Sequence, residues 1–369
     1  MRRKVEAILR NHLRSGDLGF FYRSFKNYLL TYGSIVAHRP FSGPTLAVIS
    51  PTFRCNLKCR MCEFWKRPSG KELGKEALFR VMDDLFDMGT PLISFSGGEP
   101  LLREDIFELI SYAAGRAAVH VASNGTLITR ETARRLCELG VAGVTVSLDA
   151  AEAGVHDRIR GVHGSFVKAL EGVRHLSEEA ERSRSGLSVD IVAVISGDNA
   201  GQIPRLLDVA TEMNVAAVGI LPIHRFDGPA PGAGGRPGRE CADGIQATLD
   251  HLIMARKRGG LVDNSVGYLN EVKRYFSGHP RRSPCSAGWT TCVVDCLGNV
   301  YPCYGYYVMG ASAVGTVEGR GLKGIWFSDD YNRLRSDLFT CKKCVWNCHG
   351  EFDVLFRSAM RIRELIGSR

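Results

Sequence analysis

No apolar run in this chain approaches the length needed to cross a bilayer, which argues against an integral membrane protein. No secretory signal is recognisable, no nucleic-acid-reading module appears, and no internal repeat stands out beyond an alternation of strand-like and helix-like segments. Isolated cysteines are also scarce. Of twelve, only Cys137 and Cys241 stand alone, while three fall at 55 to 62 and seven at 285 to 348. Without a secretory signal this argues against a disulfide framework and for metal ligation in a reducing, cytoplasmic compartment. The isolated pair reads as small apolar packing residues. Acidic residues are fewer than basic ones, giving a net charge of +9. That balance fits nucleic acid, an anionic membrane surface or a negatively charged substrate; the missing reading module disfavours nucleic acid. What is present is ordinary globular composition, 44% hydrophobic and 24% charged over 369 residues, enough for one large domain and a smaller one.

Residues 1–43 form a basic, aromatic-rich helical extension with Val5, Ile8, Leu9 and Leu13 at helical spacing, followed by Phe20, Phe21, Tyr22, Phe25 and Tyr28. The plain expectation is a helix or two packed on the main domain. The sharper one is an amphipathic surface that meets anionic lipid or a lipid-like substrate, making the protein peripheral to a membrane. From 44 to 225, short apolar runs at 46–50, 92–96, 118–123, 144–148, 189–195 and 215–221 alternate with amphipathic helices. Six such βα units imply an α/β fold with a curved or barrel-like parallel sheet, whose active loops follow the C-terminal strand ends. Residues 226–280 read as a Gly- and Pro-rich loop at 228–238 with linking helices, 281–350 as a small cysteine-bearing domain and 351–369 as a tail.

Cys55, Cys59 and Cys62 follow the first strand directly. A loop of this length can aim three thiolates at one point, and soft ligands select iron–sulfur clusters, zinc or copper(I). Three ligands leave either a distant fourth or a position open for chemistry. Downstream, Cys285, Gly298 and Cys303 form Cys-x12-Gly-x4-Cys, followed by Cys341-x2-Cys344. A zinc ribbon is one reading of that set.

Cys55-x3-Cys59-x2-Cys62, Gly97-Gly98-Glu99-Pro100, Ser123-Asn124-Gly125 and Ser147-Leu148-Asp149, at four successive strand ends, together resemble the radical S-adenosylmethionine (SAM) enzymes. The resemblance covers residues 44–225. It implies a partial (β/α)6 TIM-like barrel and a [4Fe-4S] cluster whose open iron is chelated by SAM. It also implies reductive cleavage of SAM to a 5′-deoxyadenosyl radical that abstracts hydrogen from an unactivated C–H bond. Gly97 and Gly98 would then let backbone approach the methionine end, with Pro100 completing the motif. Glu99 resembles the acid that meets the SAM amino group. Ser123 and Asn124 resemble ribose or carboxylate contacts, Ser147 a further hydroxyl, and Arg160 an arginine that pairs with the SAM carboxylate. Met61 stands where relatives often carry an aromatic residue near the adenine; a thioether can pack there. Ile191 to Ile195 on the fifth strand and His224 after the sixth are further candidates near the adenine, with strand core and a loop histidine as the plainer readings.

The C-terminal pattern resembles the SPASM extension or its shorter relative, the twitch domain. It implies one auxiliary [4Fe-4S] cluster held by Cys285, Cys303, Cys341 and Cys344. Cys292, Cys296 and Cys348 are left to a second cluster, to substitution for one of the four, or to buried thiols. An auxiliary cluster suggests net oxidation of the substrate radical or direct substrate ligation. An external one-electron donor such as flavodoxin or ferredoxin is implied. Residues 1–43 read as too short for a leader-gripping winged helix, which favours a small-molecule or lipid-like substrate over a peptide. A noncatalytic iron–sulfur carrier or sensor is the alternative from another class; the SAM cradle argues against it.

Overall fold

The computed structural model describes residues 18–67, 70–226, 234–235 and 242–367. The periodicity at Val5 to Leu13, most of the loop at 228–238 and Cys241 lie outside the described residues. Six strands, β1 (Leu46–Ile49), β2 (Leu92–Phe95), β3 (Ala118–Ser123), β4 (Gly143–Ser147), β5 (Ser188–Ile195) and β6 (Ala217–Pro222), pair in parallel in chain order. They are the six expected from the apolar runs. Successive residues of a strand face opposite ways. One face, including Ala47, Ile49, Ile93, Phe95, Val119, Val121 and Ile191, joins the helix residues Leu78, Val81, Leu85, Leu109 and Leu136 in the main core. Burial of one such aliphatic side chain is worth about 1.5–3 kcal/mol, so this face sets the strand register. The alternate positions on neighbouring strands are polar. His120 there joins Ser94 (Nδ1 to Oγ, 2.9 Å) to Thr145 (Nε2 to Oγ1, 2.7 Å), tying β2, β3 and β4 together across the inner face.

After a short hairpin of β7 (Arg225–Phe226) and β8 (Gly234–Gly235), the chain adds two helices, Ala242–Lys257 and Val266–Phe276. The second starts where Ser265 accepts a hydrogen bond from the Tyr268 amide. The cysteine-bearing C-terminal region then begins as a continuation of the barrel sheet. β9 (Thr291–Val294) pairs in parallel with β1, and β10 (Asn299–Tyr301) and β11 (Gly315–Thr316) extend the sheet antiparallel. β1 would otherwise be an edge strand with unpaired amides and carbonyls; β9 satisfies them and brings the two cysteine regions to one sheet.

The helix Leu18–Ala37 closes the opposite end. Phe20 packs with Ala118 and Ala142 at the starts of β3 and β4, and Tyr28 stacks on Phe356 with centroids 5.1 Å apart. Asn27 donates to the carbonyls of Gly43 and Gly89. The packed face matches the plain expectation for this segment, while Tyr22 (67% exposed) and Phe25 (63%) lie on the solvent side. No helix among the described residues is long and apolar enough to cross a membrane.

Candidate active site

The cysteine loop leaves β1 at its C-terminal end and is held mainly by backbone. Lys58 and Arg60 donate their amides to the carbonyls of Arg160 and Ile159 (3.1 and 2.9 Å), the last residues of the helix Ala153–Arg160. On the other side Gly98 donates to the Thr52 carbonyl (3.0 Å) and Glu99 to that of Arg54 (2.8 Å). The Gly-Gly pair permits this approach: a Cβ on Gly98 would sit 2.2 Å from the Arg54 carbonyl oxygen, and Gly97 has φ +111°. Cys59 is buried, and Cys55 and Cys62 are partly buried. Burial pushes the Cys55 thiol up to about 11 and raises that of Cys62, so metal binding here must expel protons.

Glu99 is fully buried at the heart of the loop cluster. Its carboxylate accepts from Ser123 Oγ (2.9 Å) and from the amides of Asn124 (2.8 Å) and Leu101 (3.2 Å). Burial outweighs these bonds and pushes its pKa up to about 7. Such a carboxyl suits a cationic amino group as its missing partner. Pro100 begins the turn Pro100–Leu102 that supplies the Leu101 amide. Ser123 and Asn124, expected to touch the cofactor, are already engaged with protein. Ser123 Oγ also accepts from the Gly125 amide (3.0 Å), and Asn124 Nδ2 donates to Asn56 Oδ1 (2.8 Å). Asn56, which the motif reading passed over, thus ties the cysteine loop to β3.

Arg160 is buried. Its Nε lies 2.7 Å from Asp149 Oδ2, and its Nη1 donates to Cys59 Sγ at 3.8 Å. The structure therefore turns the guanidinium toward the cysteine loop as well as toward the strand-four motif. Asp149 Oδ1 accepts from the Val194 amide (2.8 Å), fixing the pair against β5. Ser147 is half-buried at the end of β4, Met61 is half-buried beside Cys62, and Ile191 and Ile195 belong to the helix-facing core.

The C-terminal cysteines divide. Cys285 and Cys303 share a buried cluster with Cys341 packed against it. A Cβ on Gly305 would lie 3.5 Å from Cys344 Sγ and 3.6 Å from Cys303 Sγ. Cys341 acts electrostatically on Cys285, Cys303 and Cys344, so the four expected ligands share one neighbourhood. Cys292 faces the main core, near Arg335 and Tyr331; Cys296, past the end of β9, lies near Glu72 and Phe53. Cys348 sits beside His349 in the helix Asn347–Leu355 and packs against the cluster that holds Cys296, Phe352 and Phe356, whereas Cys292 does not. His224 is placed on this side too. It accepts from the Val345 amide (3.1 Å) and stacks on Trp346 at 4.6 Å.

Aromatic side chains join the two cysteine sites. Tyr304, the residue after Cys303, packs 6.2 Å from Phe64 and 5.1 Å from Trp346, and both Cys62 and Cys348 act on its hydroxyl. Tyr307 donates to Ser50 Oγ (2.6 Å) at the end of β1. Arg67 lies over the rings of Phe53, Phe64 and Tyr307 and donates to the Tyr307 carbonyl at 2.7 Å.

Similarity to known proteins agrees with this geometry. Residues 49–210 match the family described as the radical SAM superfamily, and residues 285–348 match SPASM, an iron–sulfur cluster-binding domain. The Fe-coproporphyrin III synthase of Methanosarcina barkeri is 38% identical over 47% of this chain and 42% of its own length. The first curated relatives are thus matched over less than half of their length. The PqqA peptide cyclase of Granulibacter bethesdensis is 26% identical over 74% of this chain and 71% of its own. The crystal structure of Streptococcus suis SuiB bound to S-adenosylmethionine shares the fold with a TM-score of 0.64 at 19% identity, covering 80% of this chain and 68% of that one. The chain carries a radical SAM domain and a C-terminal SPASM domain, which imply a [4Fe-4S] cluster, SAM and auxiliary iron–sulfur clusters.

Proposed function

We propose that this enzyme oxidises a small-molecule substrate in two one-electron steps, with Cys55, Cys59 and Cys62 holding the SAM-binding cluster and Cys285, Cys303, Cys341 and Cys344 holding one auxiliary cluster. When bound, the first cluster and SAM supply the radical that removes a hydrogen atom from the substrate. The chain's own residues do the rest. Glu99, anchored by three hydrogen bonds, offers a buried negative charge to the SAM amino group. Arg160 donates to the Cys59 sulfur and holds the loop against Asp149. The backbone pairing of the loop with Gly98 and Glu99 excludes side chains from the cofactor's approach. The observation that carries the two-step reading is Tyr304. A single ring touches the cysteine-loop residue Phe64 and the auxiliary-side residue Trp346, so both sites border one space.

The small-molecule reading is supported by the higher identity to the M. barkeri synthase. A peptide substrate is the second reading, favoured by the longer alignment with the PqqA peptide cyclase. Anaerobic incubation of the reconstituted, reduced protein with SAM and either a precursor of iron-coproporphyrin III or a PqqA-type peptide separates them. The proposal expects 5′-deoxyadenosine formation stimulated by the small molecule. Stimulation by the peptide alone would move the assignment to the second reading, and no 5′-deoxyadenosine with any substrate would contradict the enzymatic role.

A further inference from the structure

One point beside Gly305 is shared by two of the proposed auxiliary ligands and a third group. A Cβ on that glycine would lie 3.5 Å from Cys344 Sγ, 3.6 Å from Cys303 Sγ and 3.5 Å from Trp346 Nε1. We infer that the Trp346 indole N–H donates a hydrogen bond to a sulfur of the auxiliary cluster on this face, and that Trp346 thereby tunes the potential of that cluster. This rests on the auxiliary-cluster reading above.

Trp346 Nε1 is buried and has no hydrogen-bond partner among the described residues. An indole N–H is a donor only and does not titrate, so it can be satisfied in one way, by an acceptor. A buried donor left without one is costly. The rings around it do not supply one. His224 lies parallel to the indole, with centroids 4.6 Å and planes 11° apart. The N–H lies in the indole plane and so runs alongside the imidazole, not into it. Tyr304, 5.1 Å away, has its hydroxyl engaged by Ser96. What borders the Gly305 point is sulfur. Gly305 lies in the helix Tyr304–Val308 and is not among the glycines with positive φ, so its backbone does not demand glycine. What the residue supplies is room between the indole nitrogen and the two sulfurs. Other donors gather on the same face. The Tyr306 amide bonds Cys303 Sγ at 3.4 Å, and the Trp346 amide acts on the Cys344 sulfur, so backbone and indole of one residue address one side of the site. This is the donor arrangement a negatively charged cluster calls for.

A hydrogen bond to a cluster sulfur favours the reduced, more negative state and raises the potential. Trp346 is thus a positioning residue, and its edge contact with Tyr304 sets it against the ring that also touches Phe64. The test uses the full chain carrying Cys55→Ala, Cys59→Ala and Cys62→Ala, reconstituted anaerobically, so that the auxiliary cluster alone gives the signal. Two readouts are taken: a potentiometric titration followed by electron paramagnetic resonance, and pulsed resonance on the reduced cluster in protein whose tryptophans are isotope-labelled at the indole nitrogen. Trp346→Phe keeps an aromatic ring against His224 and Tyr304 and deletes the N–H. It is expected to retain the auxiliary iron, to shift the midpoint to a more negative potential, and to lose a hyperfine coupling to the labelled nitrogen that is present with Trp346 in place. An unmoved midpoint in Trp346→Phe with its iron retained would overturn the inference. So would the absence of any coupling in the labelled chain that keeps Trp346, a result that does not depend on how the variant folds. No iron in the chain lacking Cys55, Cys59 and Cys62 would instead remove the auxiliary-cluster reading itself, and this inference with it.

Discussion

The two cysteine sites are built in opposite ways. Cys55, Cys59 and Cys62 lie within one loop, and backbone bonds to the carbonyls of Ile159, Arg160, Thr52 and Arg54 shape it. The C-terminal set runs from 285 to 344 and is assembled by the pairing of β9 with β1 and by the helices that follow. In the local site, spacing within one loop gathers the three proposed ligands. In the dispersed site seven cysteines fall between 285 and 348, and the fold, not the spacing, brings Cys285, Cys303, Cys341 and Cys344 into one neighbourhood.

The sharpest way to separate the two is to break the dispersed one. Cys303→Ser should leave 5′-deoxyadenosine formation in place while abolishing the oxidised product, measured by chromatography of both products from one reaction. Loss of both together would show that the sites are not independent. Next in size, Gly98→Ala drives a methyl group to 2.2 Å from the Arg54 carbonyl. The loop must shift, and SAM affinity by equilibrium dialysis should fall at least about tenfold, the equivalent of 1.4 kcal/mol.

Glu99→Gln removes the proposed partner of the SAM amino group. A hydrogen bond to a charged group is worth about 1.5–3 kcal/mol, so SAM binding should weaken by roughly ten- to a hundredfold. The pH dependence carries its own sign. The Glu99 pKa is raised to about 7 from 4.5 in the SAM-free fold. Its contribution to stability is fully present below about pH 4.5 and is lost as pH rises through about 7. Thermal unfolding of the SAM-free protein should therefore show a fall in Tm across this window that flattens in Glu99→Gln. SAM binding should strengthen over the same rise in pH, as the carboxylate ionises. The smallest effect belongs to the seam between the regions. Tyr307→Phe removes a 2.6 Å bond to Ser50 and should cost about 1 kcal/mol, read as a reduced midpoint in urea.

Much of the local site was legible in the sequence because its information is local. The six strands, the cysteine spacing and the Gly97 to Pro100 motif each sit within a few residues and obey simple periodicities. What escaped was pairing. Nothing in 291–294 marks it as the neighbour of β1, since that contact spans more than two hundred positions of chain. Ser123 and Asn124 were legible as polar residues at a strand end, yet a motif does not say whom they bond; their partners here are Glu99, Asn56 and backbone. His224, a candidate near the adenine with a loop histidine as the plainer reading, stacks on Trp346, because the loop after β6 meets the helix Asn347–Leu355 region, a contact no local pattern encodes. Cys292 and Cys296 looked alike as leftover thiols. The turn from Asp295 to Gly298 sends them to different cores.

The central claim is that two separate clusters are held by two separate cysteine sets. The most direct test is iron and sulfide content, with Mössbauer spectra, for the wild type and for the combined Cys55→Ala, Cys59→Ala, Cys62→Ala variant after anaerobic reconstitution. Two [4Fe-4S] clusters predict about eight irons per chain in the wild type and about four in the variant. A variant with no iron, or one that still holds about eight, would contradict the account.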